Sequence, residues 1–269
     1  MNLSKKSYRL YPKESLYIDG IKVFKSDLKV LKTIIENHIK ANDSISFVCM
    51  NPHSYILKKI YPDYSQAVSA AQYVLADGII YWIICKLRRP SLNINRITGR
   101  KLLSISIETA IKMKSKIMII CPNQISRNQI QDYMNSKGID NEFLFFRVPP
   151  HKFRISPEDL NNEGDNKFES ELNNCDMCLL FLGAPKQEIL SIEINKIKKG
   201  MICIPVGAVF EELNIQKTFV KKIKTFSSKY GLEWLTRFLL DPRKIWKRIF
   251  LTGPLFLITM LFYFFFLTN

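Results

Sequence analysis

Leu179-Leu180-Phe181-Leu182-Gly183-Ala184-Pro185-Lys186-Gln187-Glu188 is the stretch that decides the fold. Four apolar residues stop at a Gly-Ala-Pro turn, and three polar side chains then open a helical pattern. A buried strand reads this way when it delivers polar groups to the carboxyl edge of an α/β sheet, the edge where such sheets bind ligands.

Apolar runs alternate with stretches of helical period on both sides of it. Strands are expected at 45–50, 72–76, 116–121, 142–148, 177–182 and 201–206, and helices at 52–60, 78–87, 101–114, 124–136 and 186–198. Ser156-Pro157-Glu158-Asp159 reads as a helix start with Ser as N-cap and Pro as first helical residue, and 161–167 reads as a loop. Regular strand–helix alternation predicts an α/β fold, a Rossmann-like parallel sheet flanked by helices. No G-x-G-x-x-G follows any strand, so no dinucleotide cofactor is expected.

With 47% hydrophobic residues in 269, a sizeable core is available and disorder is excluded. The net charge is +16, and segment 217–248 holds ten Lys/Arg against two acids, so half of that charge sits in 32 residues. Such density implies a phosphate-bearing partner: a nucleic acid, an anionic membrane surface or a diphosphate ligand. The six cysteines lie mostly inside apolar runs, without the spacing of a disulfide framework. Cys175-x-x-Cys178 lacks a second pair, so its sulfurs are expected to pack as small hydrophobes in a reducing compartment. His53 and His151 are isolated and no metal site is expected. Residues 1–19 are polar and basic without an apolar segment, so no secretory signal is expected there.

Residues 249–269 carry no charge. As a helix, 21 residues reach about 31 Å at about 1.5 Å per residue, just the thickness of a bilayer hydrocarbon core. Lys244, Lys247 and Arg248 flank the start, which by the positive-inside rule keeps the preceding chain cytoplasmic. Gly253-Pro254 is positioned to bend the segment into an interfacial one. The expected organisation is therefore an α/β domain over 1–216, a basic helical membrane-facing appendage over 217–248, and a transmembrane or interfacial hydrophobic tail helix over 249–269. In 217–248, Trp234-Leu235, Phe238-Leu239 and Ile245-Trp246 interleave with the charges at helical spacing, as an interfacial surface would.

Polar residues follow strands or tight turns at four places: Asn51-Pro52-His53, Ala76-Asp77-Gly78, Arg96-Ile97-Thr98-Gly99, and Gly183 to Glu188. Taken singly, Asp-Gly is a common turn and an arginine a common surface charge. Taken together, with Tyr17-Ile18-Asp19-Gly20-Ile21-Lys22-Val23, Val206-Gly207-Ala208-Val209-Phe210 and Gly231-Leu232-Glu233-Trp234-Leu235-x-Arg237, they resemble the WecG/TagA/CpsF glycosyltransferases (glycosyltransferase family 26). The resemblance runs from residue 17 to residue 248, and its Gly-Ala-Pro-Lys-Gln-Glu and Gly-Leu-Glu-Trp-Leu blocks are specific. Cys49 and Lys101 depart from it, standing where the family usually has Thr and Asp.

This resemblance implies inverting transfer of a sugar from a UDP-sugar donor to a polyprenyl-diphosphate-linked sugar acceptor, without a metal or other cofactor, at the cytoplasmic membrane face, in cell-surface polysaccharide synthesis. N-acetylmannosamine is the family's best-known donor sugar. Asp77 matches the proposed base, which takes the proton of the attacking acceptor hydroxyl. Arg96 and the tail arginines Arg237, Arg243 and Arg248 are candidates for the diphosphate, since guanidinium holds phosphate through two parallel hydrogen bonds. Asn51, Thr98, Lys186 and Gln187 are candidates for sugar and uracil contacts. A catalytically inactive membrane-anchored scaffold is the alternative within this reading. A nucleic-acid partner is not expected, because an uncharged 21-residue tail does not suit it. An oligomer is compatible with the sequence.

Overall fold

The computed structural model describes residues 16–25, 27–92, 94–161, 167–209, 233–240 and 242–266. Strands β1 (Leu16–Ile18), β2 (Ile21–Val23), β3 (Ile45–Met50), β4 (Tyr73–Ala76), β5 (Ile117–Ile120), β6 (Leu144–Arg147), β7 (Met177–Leu180) and β8 (Ile202–Pro205) form one sheet. Its order is β1-β2-β4-β3-β8-β7-β5-β6, parallel throughout except for the β1–β2 hairpin at one edge.

The central strands are short apolar runs because both faces are covered. β4, β5, β7 and β8 are buried at every position. Successive side chains point to opposite faces. Thus Ile117, Ile119, Leu179 and Ile204 join one core with α1 (Leu28–Ala41), α5 (Gly99–Met113) and α6 (Gln124–Ser136). Met118, Ile120, Cys178 and Leu180 face the opposite layer, with α7 (Phe168–Asn173) and α8 (Lys186–Ile197). Val48, Met50 and Val74 extend that layer beneath α2 (Pro52–Ile60), α3 (Pro62–Ala70) and α4 (Ile79–Arg88). Full burial of each Ile, Leu or Phe contributes about 1.5–3 kcal/mol.

The expected strands and helices of the α/β body are present with ends shifted by a few residues at most. The β1–β2 hairpin, α1, α3 and α7 are additions. Three-residue strands are too short to show alternation. α3 follows α2 with only Tyr61 between, Pro62 restarting the helix at its first position. The expected helix after Ser156 is a single 3-10 turn, Pro157–Leu160, with a Ser156/Asp159 capping box. All six cysteines are free thiols, five buried and Cys49 half-buried.

Toward the carboxyl end lie α9 (Glu233–Leu240), α10 (Pro242–Lys247), a π-helical turn over Arg248–Thr252, and α11 (Gly253–Phe266). Residues 217–232 of the expected basic appendage lie outside the described residues. The π turn has a local cause. Pro254 has no N–H for the helical ladder, and the Gly253 N–H donates instead to the Arg248 carbonyl, five residues back. Arg248–Phe265 is long and apolar enough to cross a membrane. One stripe of it is nevertheless committed to the protein: Phe256 and Met260, four residues apart, are 0% and 2% exposed in the core beneath α2 and α4. Ile258, Leu261, Phe262 and Phe265 on the other faces are more than half exposed.

Candidate active site

The site begins with strand register. Met50 pairs with Ala76, so the residues that follow, Asn51 and Asp77, leave the sheet side by side. The Asp77 N–H donates to the Met50 carbonyl at 2.9 Å, and the Ile97 N–H donates to the Ala76 carbonyl at 3.0 Å. The second bond brings the Arg96-Ile97-Thr98 segment over the end of β4. Leu180 pairs with Pro205, which sets the turn before α8 beside Gly207 at the end of β8. Asn51, Asp77, Gly207 and Gln187 thus share the carboxyl edge of β4-β3-β8-β7, where ligand crevices form in such sheets.

Close backbone approach holds these turns together. A Cβ on Gly78 would stand 2.9 Å from both Asn51 Cβ and Pro52 Cδ, so only glycine lets the Asp77 turn lie against the Asn51 turn. Gly207 takes φ +64°, a left-handed conformation favouring glycine, and its N–H donates to Gln187 Oε1 at 2.9 Å. Gly99 sits against the Val206 carbonyl and seats the start of α5 on the end of β8.

Two predicted residues are helix caps here. Asn51 caps α2, its Oδ1 accepting from the Ser54 N–H at 3.1 Å, and Thr98 caps α5, its hydroxyl accepting from the Lys101 N–H at 3.4 Å. Lys186 opens α8 and is half-buried, as are Asp77 and Arg96. Gln187 is buried, and its carboxamide spans two neighbours: Oε1 accepts from Gly207, and Nε2 donates to Glu188 Oε1 at 2.9 Å.

Arg248 reaches the same place from the tail. Its charge acts on Glu188, Tyr64 and His53. His53 on α2 lies 3.3 Å from the Thr252 hydroxyl through Nδ1, which fixes the π turn over the start of α2. Burial and then the Arg248 charge push the His53 imidazole down to about 4, so it is neutral at physiological pH. Cys49 at the end of β3 is held well above the ordinary thiol range by burial, with the carboxyl groups of Asp77 and Glu188 adding to it. That thiol is inert at neutral pH and lies within the field of both acids.

Seven of the nine predicted residues therefore lie on adjoining turns: Asn51, Asp77, Arg96, Thr98, Lys186, Gln187 and Arg248. Arg243 is on α10 and is exposed. Arg237 is on α9, and its side chain is outside the described part of the structure. Sequence reading passed over Glu188, although it is 2% exposed and burial raises its carboxyl to about 7. An acid in the first turn of a helix ordinarily complements the dipole at the surface. Helical phase gave no clear signal either: Ser191, one turn on, is buried, but Ile192 and Asn195 on the same face are only partly so.

The arrangement offers a half-buried carboxylate, donors from two caps and a buried amide, and arginines arriving from separate elements. Such a set can take a proton from a hydroxyl and meet developing negative charge nearby. A family model described as "Glycosyl transferase WecG/TagA/CpsF family" matches residues 16–269. The chain is similar to an N-acetylglucosaminyldiphosphoundecaprenol N-acetyl-beta-D-mannosaminyltransferase of Bacillus spizizenii, 21% identical over 212 residues, which is 79% of this chain and 77% of the relative.

Proposed function

The chain belongs to the WecG/TagA/CpsF glycosyltransferase family, and from that premise we propose that it moves N-acetylmannosamine from a UDP-sugar to a polyprenyl-diphosphate-linked N-acetylglucosamine. The observation that carries this reading is the meeting of Asp77 and the Arg96–Thr98 segment at the ends of β3 and β4, with the Arg248 charge acting on His53 and Glu188 on the neighbouring turns.

In this reading the Asp77 carboxylate takes the proton of the acceptor hydroxyl as its oxygen attacks the anomeric carbon. The bond from that carbon to the UDP oxygen breaks on the opposite face, which inverts the configuration. The departing diphosphate gains negative charge, and arginines rather than a metal ion meet it: Arg96 from the body, with Arg237, Arg243 and Arg248 from the tail. Asn51, Thr98, Lys186 and Gln187 orient the sugars and the uracil with the hydrogen-bonding capacity left over from capping and bridging.

The tail brings this chemistry to the membrane in the same reading. Trp234 and Leu239 on α9, Trp246 on α10 and Phe250 and Leu251 in the π turn are exposed, in a stretch whose sequence carries Arg237, Arg243, Lys244, Lys247 and Arg248. Exposed apolar side chains on a basic segment suit the cytoplasmic face of an anionic bilayer, where a polyprenyl acceptor is anchored.

The test is UDP release over a set of UDP-sugars with a short-chain prenyl-diphosphate-N-acetylglucosamine acceptor. Transfer by the wild type that Asp77→Ala loses, with the fold retained, is the expected result. Two equally inert proteins would favour the scaffold.

A further inference from the structure

The route of the tail across the body limits how its apolar length can be used. Phe256 packs on Tyr81 at 6.0 Å, and the Phe264 ring, further along α11, lies under the Arg88 guanidinium at 5.8 Å. Tyr81 stands near the start of α4 and Arg88 at its end, so α11 and α4 run side by side in the same direction. Met260 is buried between the two contacts. From Phe256 to Phe264 the helix advances about 12 Å at about 1.5 Å per residue, all of it against the protein.

A perpendicular span would carry these neighbours with it. A hydrocarbon core is about 30 Å thick, and Arg88 on α4 and the Asp19–Lys59 pair beneath Tyr55 would enter it. Charges at that depth are expensive. Freeing α11 to span alone would instead strip Phe256 and Met260 from the core. A helix lying flat meets neither cost, since its outer residues Ile258, Leu261 and Phe265 reach lipid while its inner stripe stays packed.

The neighbouring helix has the matching chemistry. Ile83 and Leu87, one turn apart on α4, are 43% and 73% exposed. Lys86, Arg88 and Arg89 accompany them, and the sequence holds no acid between Asp77 and Glu108. Lys86 is placed by the Trp82 ring, 5.2 Å from its centroid, and the Trp82 indole N–H donates to the Ile94 carbonyl at 2.7 Å. The carboxylate of Asp19, on the far side of Tyr55, is already engaged by Lys59 and the Tyr55 hydroxyl. Apolar side chains among cations, with no acid from the same stretch, complement an anionic lipid surface.

We propose that α11 lies flat in the headgroup region of an anionic bilayer rather than crossing it, and that the exposed edge of α4 is a second membrane contact beside it. Asp77 stands two residues before the start of α4, so this contact sets its height above the lipid surface. The proposal rests on the membrane reading of the tail, and on the transferase reading only for that last consequence.

Two measurements on the full chain test it. In inverted membrane vesicles from cells expressing the protein, with the cytoplasmic face outward, a cysteine appended after Asn269 is offered a membrane-impermeant maleimide. The chain without the added cysteine gives the background. Labelling as complete as in detergent is expected, whereas labelling only after the vesicles are opened means that the tail crosses and overturns the proposal. Purified protein is then bound to phosphatidylglycerol vesicles. Paired Ile83→Ser and Leu87→Ser, and separately paired Lys86→Glu and Arg89→Glu, should each weaken partitioning about tenfold with unfolding midpoints unchanged. Either pair binding like wild type removes α4 from the membrane face and overturns the proposal. So does a wild-type dimer that the serine pair dissociates while vesicle binding stays the same, because the face is then a protein interface. Sugar transfer by the serine pair should match wild type on a short-chain acceptor in solution and fall with partitioning on an acceptor held in vesicles. A wild type that is labelled and partitions as expected but transfers no sugar supports this placement and overturns the transferase reading instead.

Discussion

The Phe256 ring of the tail stands edge-on to the Tyr55 ring of α2, centroids 5.2 Å apart, and Tyr81 of α4 packs on it at 6.0 Å. Tyr55 is itself fixed, its hydroxyl donating to Asp19 Oδ2 at 2.6 Å in the β1–β2 turn, where Lys59 pairs with the same carboxylate. An apolar tail has thereby become part of the core, and the anchor lies two turns beyond Arg248.

Removing that anchor should loosen the tail and displace Arg248. Phe256→Ala is expected to cost about 3–5 kcal/mol, as buried Phe→Ala changes do. Denaturant unfolding measures the loss, and UDP release should fall with it. An unchanged midpoint would mean that the ring does not sit in the core.

The outward faces of α11 should behave differently. Paired Ile258→Ser and Phe262→Ser changes remove exposed apolar surface without touching the Phe256 slot. Binding to anionic vesicles should weaken while the unfolding midpoint stays within about 0.5 kcal/mol of wild type. Ending the chain near Lys247 is a poorer probe, because it also uncovers Tyr55 and Tyr81.

Gly78→Ala tests the close packing of the two turns at the site. The added Cβ meets Asn51 Cβ and Pro52 Cδ at 2.9 Å, and neither is the end of a flexible side chain. Separation of the Asn51 and Asp77 turns should cost about 1–3 kcal/mol. Because small misplacements near a reacting centre are costly, kcat should fall by about 100-fold. A variant as active as wild type would show that the two turns need not touch.

Acid should undo the seat of the tail through His53. Its imidazole falls from 6.5 unfolded to about 4 folded, chiefly by burial and then by the Arg248 charge. The stability it confers is present above about 6.5 and is lost as pH drops toward 4. Unfolding midpoints followed downward through that window should decline less steeply in His53→Gln than in wild type. Parallel curves would remove His53 from the acid response.

The three tail arginines should not be equivalent. Arg248 acts on buried groups at the site, and Arg243 is exposed on α10. Arg248→Gln is expected to reduce UDP release by an order of magnitude more than Arg243→Gln, because a half-buried charge beside the site is less screened by water than an exposed one. Equal effects would place both on the diphosphate.

How much of this was legible in the chain depends on the range of the forces involved. The run 177–182 and the Gly-Ala-Pro turn predict a buried strand and an exposed loop because burial and backbone freedom act locally. The same holds for Asn51-Pro52 and Thr98-Gly99, whose capping chemistry is completed within three residues. Glu188 was opaque, because a first-turn acid looks alike whether it faces water or a core. The tail was half legible: its lack of charge marked it as apolar, but periodicity does not distinguish a stripe packed on protein from faces left for lipid.

Sequence alone determined the α/β alternation, the family and the turns that carry the candidate residues, since each is written in contiguous chemistry. Only the tertiary structure decided that Gln187 is pinned between Gly207 and Glu188, that Glu188 is dry, and that Phe256 enters the core to hold Arg248 nearby. These facts depend on groups up to about two hundred residues apart meeting in space, where desolvation and packing, not local propensity, set the energy.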